Sequence, residues 1–428
     1  MALLQCAAPS RNQRIKTMKS RLICLIIFFL IFLRASESFG CTIFSLSDST
    51  QSLMGNSEDY WEKGYMNVTQ GDESEYGRIT FSFADKYVQG GINEHGLAID
   101  GTGAIKEMQM VVNHSVPDLQ SSENIVDIIL RKCKNADEAV DLCRKYNLLV
   151  LKYCHIMFTD ASGKSVIVVL DKEGCTQYLP KKGNYQLITN FNPLNPEVGY
   201  YPCERYDTAS MMLPNLSPDI WRAADVLNAV KQEGGKETHY GQVYDCAKKK
   251  FYLFRNQNYL QALVFDVEAL LKGKNYRIKL DLLPKLESFV FPSVNASISS
   301  INNSISLQAE SGDYRLILAK SDKFENPLVY NILPYEIVKS SFGLIAIFLL
   351  ILCIPKARVR IVPLVATVLL IVSCVDNTID QPKGETKNYR VQIDETGGLD
   401  AGTWFWKIEG KTNSGYSIAT KPLCFEIE

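Results

Sequence analysis

The stretch Ser38-Phe39-Gly40-Cys41-Thr42-Ile43-Phe44 joins the end of an apolar leader to the start of a predicted strand. If the leader is removed after Gly40, the mature chain begins with Cys41. The α-amine of a terminal cysteine lies close to its own thiol and titrates at about pH 8, so it can act as the base for that thiol. One residue would then supply both a nucleophile and its base.

Residues 1–40 have the three parts of a secretory signal peptide. Basic residues precede an apolar run, Leu22–Leu33, and a polar stretch that ends in small residues follows it. Ser38 and Gly40 occupy the two positions that a signal peptidase recognises, which favours cleavage before Cys41 and export of the chain. Two alternatives stay open: an uncleaved membrane anchor, and acylation of Cys41 as in a lipoprotein, for which the preceding residues are a poor match.

The composition argues against a nucleic-acid-binding protein. The 428-residue chain carries 46 basic and 47 acidic residues, a formal net charge of -1, and it has no long run of like charge. This balance gives no positive field that would attract phosphate backbones.

The 12 cysteines include no CxxC pair and no His/Cys cluster with the spacing of metal ligands, so the sequence predicts no zinc site.

Apolar patterns between residues 41 and 291 alternate between strand and helix periods, which predicts an α+β domain. Strand patterns occupy Cys41–Leu46, Arg78–Phe83, Gly91–Ile99, His155–Phe158, Ser165–Leu170 and Tyr185–Thr189. Helical periods occupy Asn124–Lys132, Ala136–Tyr146, Trp221–Lys231 and Val267–Leu271. The chain is long enough for this domain to bury its own core and for a second region to follow.

The second region is predicted to be rich in strands. Residues 292–310 are rich in Ser and Asn, which is typical of a linker. Residues 311–335 and 376–428 alternate as strands do, and one of these strands is aromatic around Trp404. They resemble the strands of a fibronectin type III-like sandwich, in which an aromatic-rich strand packs across the core.

Two apolar runs, Phe342–Pro355 and Ile361–Ser373, interrupt this strand-rich region. Each run is shorter than the about 20 residues that span a bilayer as a helix. The basic connector between them fits a cytoplasmic turn, so residues 342–374 are a candidate membrane hairpin that would anchor an exported chain. The alternative is that Cys374 ends a second stretch that imitates a lipoprotein signal.

Four short motifs supply polar side chains that could serve a cysteine nucleophile. Asp59 ends Gly-Asn-Ser-Glu-Asp, where a carboxylate could hold an amine. Asn93 lies in a Gly-rich hairpin turn, where its side-chain amide or a backbone N–H could donate to an oxyanion. Asn190 ends a predicted strand and is a second possible donor. Arg205 is a permanent cation that could lower a thiol pKa or bind a carboxylate. Each residue also has an ordinary structural explanation, as a turn residue or a salt-bridge partner.

Together and in this order, the motifs resemble those of the linear amide C–N hydrolases. That family includes choloylglycine hydrolases, penicillin V acylases and their acyltransferase relatives. The resemblance covers residues 41–291 and rests on the Cys-Thr start, Gly-Asn-Ser-Glu-Asp, Gly-Ile-Asn-Glu-His-Gly-Leu, Thr-Asn-Phe and Glu-Arg-Tyr. It implies an N-terminal nucleophile fold, which is a four-layer αββα sandwich.

The resemblance also implies a role for each candidate residue. Cys41 would be the nucleophile and, through its amine, the base, and Asp59 would orient that amine. Asn93 and Asn190 would form the oxyanion site, and Arg205 would lie near the thiolate. Two features depart from the pattern. Asn56 stands where bile salt hydrolases have an arginine, which weakens the case for a bile-salt substrate, and Arg205 follows Asn190 at a shorter spacing than in those enzymes.

The implied reaction is hydrolysis of a linear amide in a small N-acyl substrate through a thioester on Cys41, with no metal or organic cofactor. An acyltransferase would use the same residues and pass the acyl group to an amine. A non-enzymatic, membrane-associated surface or adhesion protein would instead use Cys41 as a disulfide partner or lipid anchor. The sequence leaves open the substrate, the disulfide pattern and the oligomeric state, for which a homo-oligomer is one option.

Two histidines, His95 and His155, are further candidates for a catalytic role. His95 lies in the Asn93 motif, and a structural role is the favoured interpretation. His155 follows Cys154 in a predicted strand, where adjacent side chains point to opposite faces, so the two residues are a poor match for a Cys/His protease site.

Overall fold

The computed structural model of the chain describes residues 40–59, 64–104, 108–120, 122–197, 199, 201–234, 237–284, 304–310, 312–335, 386–392 and 402–427. The predicted signal peptide up to residue 39 and the apolar stretch 342–374 lie outside the described residues, so export and anchoring stay predictions. No helix within these described ranges is long and apolar enough to cross a membrane. The end of the predicted linker is a strand, Ser304–Glu310.

Strands dominate the described chain, and its helices are short. The strands are β1 (Thr42–Ser47), β2 (Ser52–Asp59), β3 (Tyr65–Thr69), β4 (Arg78–Ser82), β5 (Val88–Asn93), β6 (Ala98–Gly103), β7 (Asp118–Leu119), β8 (Asn147–Leu148), β9 (Cys154–Thr159), β10 (Ser165–Leu170), β11 (Thr176–Pro180), β12 (Tyr185–Ile188), β13 (Thr238–Asp245), β14 (Lys250–Arg255), β15 (Asn258–Asp266), β16 (Tyr276–Lys279), β17 (Ser304–Glu310), β18 (Gly312–Ala319), β19 (Leu328–Tyr335), β20 (Thr386–Gln392), β21 (Gly402–Thr412), β22 (Ser417–Thr420) and β23 (Leu423–Ile427). The helices are α1 (Ile125–Lys132), α2 (Ala136–Cys143), α3 (Glu204–Met212), α4 (Ile220–Val230) and α5 (Val267–Leu271).

The longer sheet has 13 strands in the order β12-β1-β2-β13-β14-β15-β22-β21-β18-β19-β20-β17, with β23 beside β21. Leu263 of β15 pairs with Ile418 of β22, and this pairing joins strands from the two halves of the chain. The strands after residue 304 therefore continue the sheet that contains β1. The fibronectin-like sandwich is not confirmed, because these strands extend an existing sheet.

The second sheet has eight strands in the order β11-β10-β9-β6-β5-β4-β3-β16. Apolar side chains alternate between the two faces of each sheet, as the period of a strand requires. One cluster of buried residues joins the two sheets and includes Ile43 and Met157. A second cluster joins Phe158 of the shorter sheet to Ile129 of α1, and a third joins Phe44 of the longer sheet to α4. The residues around Cys41 thus pack between the sheets, while Phe158 and Phe44 pack toward α1 and α4.

Most of the predicted strands and helices are present, but two elements near Cys41 were not predicted. The motif that ends in Asp59 is the buried strand β2 and not a solvated turn. Helix α3 carries Arg205. The predicted strand Gly91–Ile99 is the end of β5, a turn in which Gly96 has a φ of +81°, and the start of β6. Polar residues fill β2 and α3, so neither shows the apolar period on which prediction relies.

We expect Ile418→Ala to destabilise the sheet that carries Cys41, although the two residues are far apart in sequence. Ile418 is 2% exposed and belongs to the cluster between the sheets. Truncation of a buried isoleucine costs about 2–5 kcal/mol. Urea titration of the full chain should show this loss in the free energy of unfolding.

The control for this substitution is Met211→Ala, which truncates a side chain that is 71% exposed. Its effect should stay within about 0.5 kcal/mol. If Ile418→Ala behaved like this control, the C-terminal strands would not contribute to the stability of the sheet.

Candidate active site

Cys41 lies immediately before β1, between the neighbouring strands β12 and β2. Ile43 pairs with Ile188 on one side and with Asn56 on the other. Side chains two residues apart share a face of a strand, so Cys41 faces the other sheet, as Ile43 does. The thiol is therefore placed between the sheets, and Cys41 is only 9% exposed.

The Cys41 thiol donates a hydrogen bond to Glu58 Oε2, with Sγ and Oε2 3.2 Å apart. Burial raises the pKa of the Cys41 thiol well above its usual range, and the nearby charges of Glu58, Asp59 and Asp100 raise it further. The backbone N–H of Asp59 donates to the sulfur and opposes this shift. In the uncleaved chain the thiol is therefore held in its protonated form.

Asp59 lies close to the peptide bond that would be cut to free the α-amine of Cys41. Its carboxylate accepts hydrogen bonds from Thr238 Oγ1 and from Gln232 Nε2, the latter at 2.6 Å. The same Gln232 amide donates to the Gly40 carbonyl at 3.2 Å. Burial raises the pKa of Asp59, and the positive charge of Arg205 opposes that shift. Asp59 is thus placed to hold a new amine at Cys41.

Arg205 reaches the site from the first turn of α3. Its Nη1 donates to the Cys41 carbonyl and to Thr42 Oγ1, each at 2.9 Å, and it lies 3.8 Å from Asp59 Oδ2. Its Nη2 donates to Asn190 Oδ1 at 2.8 Å. The guanidinium therefore binds the start of β1 and links Asp59 to Asn190, despite the short spacing in sequence between Asn190 and Arg205.

Asn190 lies beside the backbone that precedes Cys41. Its Nδ2 donates to Thr102 Oγ1 and to the Gly103 carbonyl, both at 2.8 Å. A Cβ added to Gly40, whose φ is +129°, would lie 1.8 Å from the Asn190 amide nitrogen. Only glycine at position 40 allows this close approach, so the residue before the predicted cleavage point fills the space beside the Asn190 amide.

The structure does not bring Asn93 to Cys41. Its Nδ2 donates to the carbonyls of Leu130 and Cys133, at 2.9 and 2.7 Å. Its Oδ1 accepts from the backbone N–H groups of the following turn. Ile92 belongs to the cluster between the sheets, so the adjacent Asn93 must face the helices instead. The oxyanion role predicted for the Asn93 side chain has no support in this geometry.

Sequence reasoning missed a group of polar residues on the inner faces of the sheets. Asn56 Nδ2 donates to Asp100 Oδ2 at 2.5 Å and to Glu58 Oε1 at 3.4 Å, and this amide joins β2 to β6. Gly90 leaves room for the group, since a Cβ there would lie 2.4 Å from Asp100 Oδ2. The signal that could have found Asn56 and Glu58 is their alternation with Met54 along one strand.

Burial changes the acidity of these carboxyl groups. It raises the pKa of Glu58 to about 8 and that of Asp100 well above its usual range, and the Glu58 charge adds to the shift of Asp100. Tyr240 pairs with Glu58 across β13 and β2, and its buried hydroxyl has no hydrogen-bond partner among the described residues.

Within the described chain, no group of three or more His, Cys, Asp or Glu could hold a metal ion.

The histidines have structural surroundings. His95 packs edge-on against Tyr76, with ring centroids 4.5 Å apart. His155 is fully buried, and this burial lowers its pKa to about 4, so the ring is neutral. Its neighbour Cys154 packs against the helix-side cluster.

Comparisons with known proteins give a resemblance in structure only. No family model and no curated protein matches this sequence. Among solved structures, penicillin V acylase from Agrobacterium tumefaciens is 19% identical over 56% of this chain and 91% of that chain, with a TM-score of 0.44. At this identity and score, the likeness adds no weight to the assignment of individual residues.

We expect Asn93→Ala to reduce stability without changing the reactivity of Cys41. The substitution leaves the Leu130 and Cys133 carbonyls without their donor, which costs about 1–3 kcal/mol. Urea titration should show that loss, while the rate of Cys41 alkylation by iodoacetamide stays the same. A changed alkylation rate in the folded variant would contradict this expectation and indicate that Asn93 contributes to the active site. Asn190→Ala, beside Cys41, is the variant expected to change that rate.

We also expect Glu58→Gln to become more stable, relative to the unsubstituted chain, as the pH rises. A carboxyl with a raised pKa holds its proton in the folded state after the unfolded state has lost it, so its contribution to stability decreases with pH. For Glu58 this interval runs from 4.5 to about 8. Denaturant titrations at several pH values between these limits would measure the difference.

The control for this pH dependence is Glu268→Gln, which removes a mostly exposed carboxylate that pairs with Lys249. Its stability difference from the unsubstituted chain should not grow across the same interval. A constant difference for Glu58→Gln would show that Glu58 titrates as an ordinary carboxyl group.

Proposed function

We propose that this chain is an amidohydrolase that cleaves a linear carbon–nitrogen amide bond of a small N-acyl substrate through a thioester on an N-terminal Cys41. The observation that carries the proposal is the convergence of three separate elements on the start of β1. Arg205 binds the Cys41 carbonyl and contacts both Asp59 and Asn190. A carboxylate, an amide and a guanidinium are thus assembled around one cysteine.

The proposed architecture is the four-layer αββα sandwich of N-terminal nucleophile hydrolases. Its support is the set of three apolar clusters: one between the sheets and one between each sheet and its helices. Cys41 lies at the inner face of one sheet in this arrangement. The proposal includes removal of residues 1–40 during export, and anchoring through residues 342–374.

Removal of the leader would give Cys41 a free α-amine. The Gln232 amide now lies between the Gly40 carbonyl and Asp59, so Asp59 is close to the position of that amine. Cleavage would also empty the space that Gly40 fills beside Asn190. The substrate carbonyl would occupy this space. The Asn190 amide would then turn one of its two N–H groups, which now bind Thr102 Oγ1 and the Gly103 carbonyl, toward the developing oxyanion.

The reaction then proceeds in two halves. The thiol loses its proton to a base, and its sulfur forms a bond to the substrate carbonyl carbon while the carbonyl π electrons move to oxygen. Collapse of this intermediate re-forms the carbonyl and breaks the C–N bond, and the leaving nitrogen takes a proton from the α-ammonium. Water, deprotonated by the same amine, attacks the thioester and releases the acid and the thiol.

There are two alternatives to hydrolysis, and only the second gives Cys41 a different role. An acyltransferase would admit an amine in place of water at the second half of the reaction. An adhesive or surface protein would use Cys41 as a bridge or an anchor. The buried position of the thiol and its hydrogen bond to Glu58 favour a catalytic role over either of these attachments.

The first test is the identity of the mature N-terminus after expression with the natural leader. Intact mass and terminal sequencing should show a chain that begins with an unmodified Cys41. This protein should then release an amine from at least one member of a panel of N-acyl amides. Retention of the leader, or a lipid on Cys41, would remove the amine from the mechanism and contradict the proposal.

Cys41→Ala should lower the hydrolysis rate by about 10³-fold or more, because it removes the nucleophile. Cys143→Ala is the matched control, since Cys143 is also a buried free thiol but lies in α2. It should keep the activity of the unsubstituted enzyme once its folded fraction is taken into account. Equal losses in the two variants would mean that Cys41 is not the nucleophile.

A further inference from the structure

We propose that Glu58 is a second catalytic residue of this site, which takes the proton from the Cys41 thiol and later returns it. This inference rests on the proposed function, because it requires Cys41 to be the nucleophile. Two groups then transfer protons. The carboxylate of Glu58 exchanges a proton with the sulfur, and the α-amine exchanges protons with the leaving nitrogen and with water.

The contact between Glu58 and the reacting atom is direct. Glu58 Oε2 accepts the hydrogen bond of the Cys41 thiol, at 3.2 Å from the sulfur. Thr42 pairs with Ser57 across β1 and β2, so the residues on either side of this pair, Cys41 and Glu58, are neighbours on the inner face. The proton of the thiol is already directed at this carboxyl group in the folded chain.

The two candidate bases are the α-amine, which Asp59 would hold, and the Glu58 carboxylate, and they lie on different sides of Cys41. Asp59 alternates with Glu58 along β2 and is bound to Gln232 and Thr238, near the backbone nitrogen of Cys41. An α-amine paired with Asp59 would be an ammonium, which is a proton donor and cannot accept the thiol proton. Glu58 faces the sulfur from the inner side of the sheet and can accept it.

The surroundings of Glu58 suit a base that works near neutral pH. The groups that face it are Cys41 from the start of β1, Asp100 from β6 through the Asn56 amide, and Tyr240 from β13. Burial, supported by the Asp59 charge, raises the pKa of Glu58 to about 8. A base is most effective when its pKa lies near the working pH. Asn56 and Asp100 act through Glu58 and are positioning residues.

The proton balance of the full cycle closes without another reactant. The thiol proton moves to Glu58 Oε2 as the sulfur electron pair forms the bond to the carbonyl carbon. The α-ammonium protonates the leaving nitrogen as the C–N bond breaks, and the resulting neutral amine takes a proton from the attacking water. When the C–S bond breaks, the thiolate takes its proton back from Glu58, so acid, amine and the starting enzyme result.

The test uses the mature protein and two measurements on the variant Glu58→Gln. The first is the pH profile of Cys41 alkylation by iodoacetamide, read at the N-terminal peptide by mass spectrometry. The second is the pH profile of amide hydrolysis. We expect Glu58→Gln to move the alkylation profile to lower pH, because the carboxylate charge that disfavours the thiolate is gone. Hydrolysis should nevertheless fall by about 10²-fold or more, since the proton acceptor is lost.

Two further variants make the test specific to the position of the carboxyl group. Glu58→Asp keeps a carboxylate one methylene shorter and should retain more hydrolysis than Glu58→Gln. Asp100→Asn should shift the alkylation profile less than Glu58→Gln, because the Asp100 charge raises the pKa of the thiol less than the Glu58 charge does. Glu268→Gln, far from the site, should change neither profile.

The outcomes separate this inference from the proposed function. Undiminished hydrolysis in Glu58→Gln would show that the α-amine alone is the base and would overturn the inference while Cys41 remains the nucleophile. If the unsubstituted protein hydrolysed no amide, the proposed function would fail, and the alkylation profiles would still decide whether Glu58 controls the thiol proton. An unchanged alkylation profile in Glu58→Gln would overturn the inference in either case.

Discussion

The burial of Glu58 and Asp100 between two packed sheets is the constraint on which the rest of the site depends. Removing an ionised carboxylate from water costs several kcal/mol, so groups like these hold their protons or need partners. Here the partners are neutral: the Asn56 amide joins the two carboxyls, and Gly90 leaves room for one of them. Cys41 lies in the same space, so burial and the neighbouring carboxyl groups disfavour its thiolate and keep the thiol protonated.

The two faces of the chain around Cys41 create opposite electrostatic surroundings. Arg205 lies among the backbone of Cys41, Asp59 and Asn190, where positive charge stabilises anions. The inner face holds the thiol and the carboxyl groups of Glu58 and Asp100, whose pKa values are raised by burial. The start of β1 thus separates a side that carries a positive charge from a side on which buried groups keep their protons.

The order of short motifs in the sequence was sufficient to select Cys41, Asp59, Asn190 and Arg205, which the structure brings together. It was not sufficient for Asn93, because the choice between two faces of a strand depends on pairing and not on the motif itself. Glu58 is not predictable in the same way, although it lies in the motif Gly-Asn-Ser-Glu-Asp, because a carboxyl in a polar segment shows no apolar period until the segment is known to be a buried strand. The pairing of β15 with β22 is non-local, and no periodicity reveals it.

That non-local pairing determines when the sheet of Cys41 becomes complete. While the chain is being synthesised, β15 is an edge with unpaired backbone N–H and C=O groups, and such edges promote association between chains. Its neighbour β22 emerges only after both apolar runs. Contacts between distant segments also form slowly. The strands around Cys41 are therefore made well before the strand that covers this edge of their sheet.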